Sequence, residues 1–200
     1  MGEPFYDGMA AAALDAANII EHALAEHSGP YAIWGHSMGS LIAFEVSKRM
    51  QELQKNSPIR LFVSGRKAPH LERLNDIIHH LPDDEFIHAV MAYDGTPKEV
   101  FEHEELAAMF LPILRADFRI VENYRFDLGR GPINIPVDVL YGEDDMPEED
   151  AAAWSAVTSA SCGVHRFAGG HFFINQQMRE IAARIREAFM TDIRVMSGGE

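Results

Sequence analysis

The stretch Tyr31-Ala32-Ile33-Trp34-Gly35-His36-Ser37-Met38-Gly39 decides the fold of this chain. It begins as a short apolar run, continues as Gly-His-Ser-Met-Gly, and leads into an amphipathic segment that starts near Ser40. A buried strand that turns sharply into a helix, with a serine at the apex, is the arrangement called a nucleophile elbow. It predicts a strained backbone at Ser37. It also predicts that a side chain at Gly35 or Gly39 would clash with the neighbouring strand and helix.

The elbow assigns candidate roles to two residues. A strained turn would hold the Ser37 hydroxyl exposed, where it can act as a nucleophile. The amide of Met38 and the positive end of the following helix would lie where an oxyanion forms during attack on a carbonyl. We therefore take Ser37 as a candidate catalytic residue and Met38 as a candidate oxyanion-hole residue.

Composition limits the class of protein. The chain has 200 residues, of which 47% are hydrophobic and 24% charged, and this predicts a single globular domain over residues 1–200. A net charge of −14 argues against binding to nucleic acids or anionic membrane surfaces, and no apolar run approaches the length of a membrane span. The single cysteine, Cys162, and an N-terminus without a signal-peptide pattern predict a cytoplasmic location.

The remaining periodicity predicts strands that alternate with helices. Strands are expected over residues 31–34, 60–64, 137–141 and 163–167, and helices over residues 9–27, 40–55, 83–92, 104–126 and 147–158 and around 178–189. This order predicts an α/β fold with a mainly parallel sheet flanked by helices. Only helices are expected from Leu71 to Phe126, which predicts a helical lid inserted over the active site.

Two more candidate residues follow predicted strands. A serine nucleophile needs a base within hydrogen-bond reach and a carboxylate that orients the base. Asp145 follows the third strand, and His171 follows the fourth strand and two glycines. Since parallel strands end at one edge of a sheet, Ser37, Asp145 and His171 are expected to lie together. The chain order Ser…Asp…His is that of α/β-hydrolases.

Other roles remain open for some of these residues. Asp144 or Asp145 would alternatively cap the helix that begins near Pro147, and Asp145 is preferred as the catalytic acid because it lies further into the loop. His36 is expected to be structural. A cluster of histidines and aspartates could suggest a metal site: His79, His80, Asp83, Asp84 and His88. Their spacing matches no closed metal site, so neither a metal nor another cofactor is predicted.

Several stretches along the chain also match a known pattern. They are Gly35-His-Ser-Met-Gly39, Val63-Ser-Gly-Arg-Lys-Ala-Pro-His70, Leu114-Arg-Ala-Asp-Phe118, Glu122-Asn-Tyr124, Gly142-x-x-Asp145, Trp154 and Gly169-Gly-His-Phe-Phe173. Together they resemble the stand-alone type II thioesterases that accompany nonribosomal peptide and polyketide synthetases. The resemblance runs from about Glu3 to Arg186 and implies an α/β-hydrolase fold. Matched to the family, Ser37 is the nucleophile, Asp145 the acid and His171 the base, and the Met38 amide is one oxyanion donor.

The resemblance implies a reaction and a partner. The expected activity is hydrolysis of acyl and aminoacyl thioesters on the phosphopantetheine arm of acyl or peptidyl carrier proteins, through an acyl-serine intermediate. A monomer is expected. Two alternatives remain open: a general serine esterase, and a truncated form that binds carrier protein without catalysis. We also expect this chain to lack the family's first strands and the loop that carries a second oxyanion donor, since nothing similar precedes Met9.

Overall fold

The computed structural model describes residues 4–27, 29–71, 77–92 and 98–198. Along them the chain forms α1 (Met9–Glu26), β1 (Ala32–His36), α2 (Met38–Glu52), β2 (Arg60–Ser64), α3 (Asp83–Met91), α4 (Lys98–Glu102), α5 (Glu104–Asn123), β3 (Val137–Gly142), α6 (Glu148–Ala152), β4 (Cys162–Phe167) and α7 (Ile174–Ser197). Short 3-10 helices occupy Leu128–Arg130 and Ala153–Val157. In these described ranges, no helix is long and apolar enough to span a membrane.

The strands form a parallel sheet whose spatial order follows the chain. In the described part of the protein, β1 pairs with β2, β2 with β3 and β3 with β4, all in parallel. The prediction of a mainly parallel sheet is therefore confirmed. Because the strands are parallel, the loops that follow β1, β3 and β4 all leave from the same edge.

Both faces of the sheet are covered, as is usual for parallel sheets. One set of alternating side chains packs with Phe44 of α2 and the buried Trp154, and it includes Leu61, Val63, Val137 and Val139. The intervening set packs with Phe173, which directly precedes α7, and with Ile181 of α7, and it includes Phe62 and Leu140. α1 packs against α2 through Ala13, Ala17, Val46 and Met50, which confirms the helical spacing seen in the sequence.

A charged network ties α7 to the sheet near the start of β2 and β3. The Arg60 guanidinium donates to the Asp192 carboxylate at 2.6 and 2.7 Å and also to Asp138. The Nε2 atom of His165 lies 2.5 Å from the same Asp138 carboxylate. Burial alone would raise the pKa of Asp138, but the hydrogen bonds from His165 and Arg60 outweigh burial and lower it.

The chain divides into two compact units, residues 1–12 with 72–125 and residues 13–71 with 126–200. The whole sheet lies in the second unit. In the first unit, Phe86 of α3 contacts Phe118 of α5 edge-on, with ring centroids 5.7 Å apart. The buried Glu122 carboxylate accepts the backbone amides of Ile78 and His79 at 3.0 and 3.1 Å. Residues 72–76 and 93–97 of the predicted lid lie outside the described residues.

Boundaries differ from the predictions at two informative places. β1 continues through Gly35 and His36, which pair with Val63 and Ser64, and α2 begins at once at Met38. The glycine resembles a turn residue in the sequence, but it serves close packing inside a strand. The helix predicted over residues 147–158 is α6 followed by a tighter 3-10 segment.

Candidate active site

Ser37 sits alone between the last residue of β1 and the first residue of α2. Its backbone has φ 53° and ψ −117°, in a region that residues other than glycine rarely adopt. The strained conformation predicted at the elbow is therefore present. The Ser37 amide donates to the carbonyl of Ser64 at the end of β2, at 2.8 Å, and this bond holds the strained residue against the neighbouring strand.

The two glycines of the elbow have different roles. A Cβ atom built on Gly35 would lie 2.0 Å from the carbonyl oxygen of Gly39, so only glycine fits there. A Cβ atom built on Gly39 would meet nothing within 4 Å. The predicted clash at Gly39 is therefore wrong. Gly39 contributes its carbonyl group to the close contact, whereas its α-carbon faces open space.

The loops that carry Asp145 and His171 lie against each other. Beyond the ends of β3 and β4, two further backbone hydrogen bonds of 2.9 and 3.1 Å continue the pairing of the two chain segments. A Cβ atom on Gly142 would lie 2.4 Å from the carbonyl oxygen of Gly169 and 2.6 Å from that of Gly170. The close approach of these glycine backbones brings the two side chains within reach of each other.

The three predicted side chains form a continuous hydrogen-bonded line. The Ser37 Oγ atom lies 3.0 Å from Nε2 of His171, and Nδ1 of His171 lies 3.0 Å from Oδ1 of Asp145. The His171 and Asp145 side chains are 18% and 13% exposed. In such an arrangement the imidazole can accept the hydroxyl proton, while the carboxylate orients the ring and stabilises its cation.

The alternative role of the aspartates as helix caps is not observed. Pro147 precedes α6, and no side chain caps that helix in the described structure. Met38 is the first residue of α2. The first amides of a helix have no acceptor within it, and the helix dipole gives this end a partial positive charge, so the Met38 amide is suited to bind an anion.

His36 has a closer relation to the site than its sequence position suggests. The centroid of its ring lies 5.1 Å from that of His171, and its Nδ1 atom lies 3.0 Å from the Ser64 hydroxyl. Burial, followed by the nearby His171, lowers the pKa of His36 to about 4, although Asp145 acts in the opposite direction. His36 is therefore neutral at neutral pH.

Sequence reasoning missed Ser64. The available signal was a polar residue that directly follows the apolar run Leu61–Val63, at the edge of the sheet where the candidate residues meet. The group of histidines and aspartates considered for a metal is not assembled as one site, since His79 pairs with Glu122 instead. Within the described ranges, no group of three or more His, Cys, Asp or Glu residues is placed to hold a metal ion.

Comparison with known proteins assigns the family. Residues 1–189 match the model of the thioesterase domain. The chain belongs to the thioesterase family. Its relatives include linear gramicidin dehydrogenase LgrE of Brevibacillus parabrevis, which is 36% identical over 194 residues, or 94% of this chain and 72% of LgrE. They also include gramicidin S biosynthesis protein GrsT of Aneurinibacillus migulanus, 34% identical over 154 residues, or 76% of this chain and 60% of GrsT.

Solved structures of this family have the same fold. YbtT, a type II thioesterase from the yersiniabactin NRPS/PKS biosynthetic pathway, is 31% identical and superposes with a TM-score of 0.83 over 92% of this chain and 75% of YbtT. The predicted resemblance to type II thioesterases and the predicted α/β-hydrolase fold are thereby confirmed. Family membership also confirms the predicted enzyme class, hydrolases that act on thioester bonds.

Proposed function

We propose that this chain hydrolyses acyl and aminoacyl thioesters held on the phosphopantetheine arm of carrier proteins in nonribosomal peptide or polyketide biosynthesis. The observation that carries the proposal is the line of hydrogen bonds from Ser37 through His171 to Asp145, with 3.0 Å at each link. The pathway named for YbtT supports the substrate class. The chain spans 60% of the length of GrsT, so its own activity and partners are part of this proposal.

The first half of the reaction transfers the acyl group to the enzyme. Nε2 of His171 takes the proton of the Ser37 hydroxyl while the oxygen attacks the thioester carbonyl. The Met38 amide donates to the oxyanion of the tetrahedral intermediate. The intermediate then collapses, the carbon–sulfur bond breaks, and His171 returns its proton to the thiolate. The products of this half are the free phosphopantetheine thiol and an acyl ester of Ser37.

The second half of the reaction releases the acid. His171 takes a proton from water, and the resulting hydroxide attacks the acyl ester of Ser37. Collapse of the second tetrahedral intermediate breaks the ester, and His171 returns the proton to the Ser37 oxygen. Throughout both halves, Asp145 holds the imidazole in the tautomer whose Nε2 is free to accept a proton and stabilises the ring when it is positively charged.

The remaining expectations belong to the same proposal. Residues 71–126 would act as a lid that selects the acyl group, and the biological role would be to remove wrong or stalled acyl groups from a synthetase. We further propose a monomer that acts in the cytoplasm with acyl or peptidyl carrier proteins as its partners.

The name of LgrE describes a dehydrogenase, and we do not extend that activity to this chain. Dehydrogenases with a dinucleotide-binding fold carry a Gly-x-Gly-x-x-Gly loop after the first strand of that unit. Here the turn after β1 is Gly-His-Ser-Met-Gly, with a strained serine at its apex. This turn favours a nucleophilic serine.

Intact-mass spectrometry after treatment with a fluorophosphonate tests the nucleophile. We expect a single phosphonyl adduct on the wild type and none on Ser37→Ala. Ser155→Ala is the matched control, because among the described residues this exposed serine bonds only to the carbonyl of Ala152 in the same turn. It should be labelled like the wild type. A labelled Ser37→Ala protein, or an unlabelled but folded wild type, would refute the assignment.

Turnover of matched substrates tests the bond that is cleaved. The same acyl group is presented as a thioester on a phosphopantetheinylated carrier protein and as a small oxyester. We expect faster hydrolysis of the carrier-bound thioester, and a loss on the order of 10⁴–10⁶-fold in Ser37→Ala. Faster turnover of the oxyester would instead identify a general esterase. Carrier binding without turnover by either protein would identify a non-catalytic form.

A further inference from the structure

Ser64, the last residue of β2, contacts four consecutive residues, Trp34 and the first three residues of the elbow. Its hydroxyl accepts a hydrogen bond from Nε1 of Trp34 at 3.0 Å and donates to the carbonyl of Gly35 at 3.1 Å. The same oxygen lies 3.0 Å from Nδ1 of His36. The Ser64 carbonyl accepts the amide of Ser37 at 2.8 Å. One fully buried side chain and its backbone therefore fix the position of the nucleophile's turn.

A second buried serine closes this network from α2. The Ser40 hydroxyl lies 2.9 Å from the carbonyl of Gly35 and 3.0 Å from that of Ser64, and its oxygen accepts the Ser64 amide at 3.0 Å. A strained residue such as Ser37 persists only where its surroundings hold it from several sides. These hydrogen bonds supply that constraint between β1, β2 and α2.

The His36 ring extends the constraint to the proposed catalytic base. Its ring centroid lies 5.1 Å from that of His171 and 5.7 Å from that of Phe172. On another side, a Cβ atom on Gly65 would lie only 2.5 Å from Cε1 of His36, so the ring fills the space left by that glycine. Its Nε2 atom is buried and has no hydrogen-bond partner among the described residues. The ring is therefore held by its contact with Ser64 and by packing.

We propose that Ser64 and His36 are positioning residues that hold the Ser37 hydroxyl and the His171 imidazole at the distance required for proton transfer. This inference rests on the function proposed above. In it, Ser64 fixes both the turn and the His36 ring, and the His36 ring supports one side of His171. Neither residue is required to touch the substrate.

Proton transfer between Ser37 and His171 is sensitive to small displacements. The donor and acceptor atoms are 3.0 Å apart, whereas productive transfer needs about 2.6–3.2 Å. A shift of a few tenths of an ångström would leave this range. The loss should therefore affect kcat and leave KM nearly unchanged, because the proposed positioning role gives neither residue a contact with the substrate.

A neutral His36 also suits the charge that develops nearby. His171 becomes a cation during the reaction, and Asp145 is the other charged group that acts on His36. A second positive charge beside His171 would oppose that cation. A buried and uncharged ring supports His171 without this repulsion.

The first test compares two fully buried serines in the same unit. Ser64→Ala removes the hydroxyl that contacts the elbow. Ser47→Ala removes a hydroxyl whose only hydrogen bond to the described part of the chain is to the Ala43 carbonyl within α2. We expect the rate of fluorophosphonate labelling per folded molecule to fall about tenfold or more in Ser64→Ala and to stay within about twofold of wild type in the control. With propionyl-N-acetylcysteamine as the thioester, kcat should fall while KM stays within about twofold.

Two variants at His36 separate the contribution of its ring from that of its hydrogen bond to Ser64. They test the proposal even if Ser64→Ala fails to fold. His36→Asn keeps a short polar group that can hydrogen-bond to Ser64 but removes the ring. His36→Phe keeps a ring against His171 but loses the hydrogen bond to Ser64. We expect His36→Asn to lower kcat about tenfold and His36→Phe to lower it less.

Failure of the positioning roles can be distinguished from failure of the proposed function. Labelling of wild type but not of Ser37→Ala, with Ser64→Ala and His36→Asn both within about twofold of wild type, would overturn the positioning roles alone. The same holds if these variants lose only thermal stability, or if they raise KM at unchanged kcat. A folded wild type that is not labelled would overturn the proposed function and this inference together.

Discussion

Substitution of Gly35 by alanine tests how closely the end of β1 packs against the start of α2. The added Cβ atom would lie 2.0 Å from the carbonyl oxygen of Gly39, 2.3 Å from its carbonyl carbon and 2.6 Å from the amide nitrogen of Ser40. All three are backbone atoms, which cannot rotate away as the end of a side chain can. Since favourable contacts between such atoms begin at about 3.5 Å, β1 and α2 would have to separate by more than 1 Å.

The size of the effect follows from this geometry. Overpacking typically costs about 1–3 kcal/mol when side chains can adjust. Here both partners are backbone segments within hydrogen-bonded elements, so we expect a cost at the upper end, about 3 kcal/mol. For a protein of this length, 1 kcal/mol corresponds to roughly 2–4 °C in Tm. Gly35→Ala should therefore lower Tm by about 6–12 °C.

Gly39→Ala is the matched control within the same five residues. Its Cβ atom would meet nothing within 4 Å, and its φ lies outside the left-handed region. Replacing a helical glycine by alanine stabilises by about 0.5–1 kcal/mol, because alanine loses less backbone entropy on folding. We expect an increase in Tm of about 1–4 °C.

Thermal unfolding followed by circular dichroism, with urea titration as a second probe, measures both variants. We predict Tm shifts of opposite sign for two substitutions that both replace glycine by alanine. The packing argument is wrong if Gly35→Ala melts within about 2 °C of wild type, or if both variants shift Tm in the same direction by similar amounts.

Three further predictions concern the charged network and the site. The pKa of Asp138 is below its usual value, so its carboxylate stabilises the fold above about pH 4 and loses this effect as pH falls through the native pKa. Asp138→Asn should therefore lower the free energy of unfolding near pH 6 by about 3 kcal/mol and flatten the acid side of a plot of Tm against pH. An unchanged plot would contradict the network. Gly142→Ala places a methyl group 2.4 Å from the carbonyl oxygen of Gly169. In a protein that keeps the wild-type circular dichroism spectrum, this should slow fluorophosphonate labelling about 10²-fold. Labelling at the wild-type rate would refute the close loop contact. An NMR titration should give His36 a pKa of about 4, and a value near the 6.5 of a free histidine would show that the ring is not buried.

Much of the fold could be read from local patterns. β2 spans Arg60–Ser64 as predicted, and the other strands differ from their predictions by one or two residues at an end. Apolar runs separated by amphipathic segments are sufficient for this, because each element is specified by its own periodicity. The clash predicted for a side chain at Gly35 is confirmed, but the prediction ends β1 too early at Trp34, because one glycine can mark either a turn or a close approach of two backbones.

The distances and hydrogen bonds between residues far apart in the chain could be found only in the tertiary structure. The sequence placed Ser37, Asp145 and His171 after strands, and parallel strands share an edge, so their proximity could be expected without coordinates. It did not contain the distances that distinguish Gly35 from Gly39. The partners of Ser64 are equally invisible in a linear sequence, because the contacts join β2 to an elbow 27 to 30 positions earlier.

The sequence by itself determined the chemical groups that are available and the order of the elements that carry them. Its strand and helix periods and its glycines place a serine, an aspartate and a histidine at the ends of parallel strands. Only the tertiary structure decided which backbones touch, which serine holds the elbow, and that burial beside His171 keeps His36 uncharged. The physical reason is that the effects of packing, hydrogen bonding and burial depend on distances of a few ångströms between segments far apart in the chain.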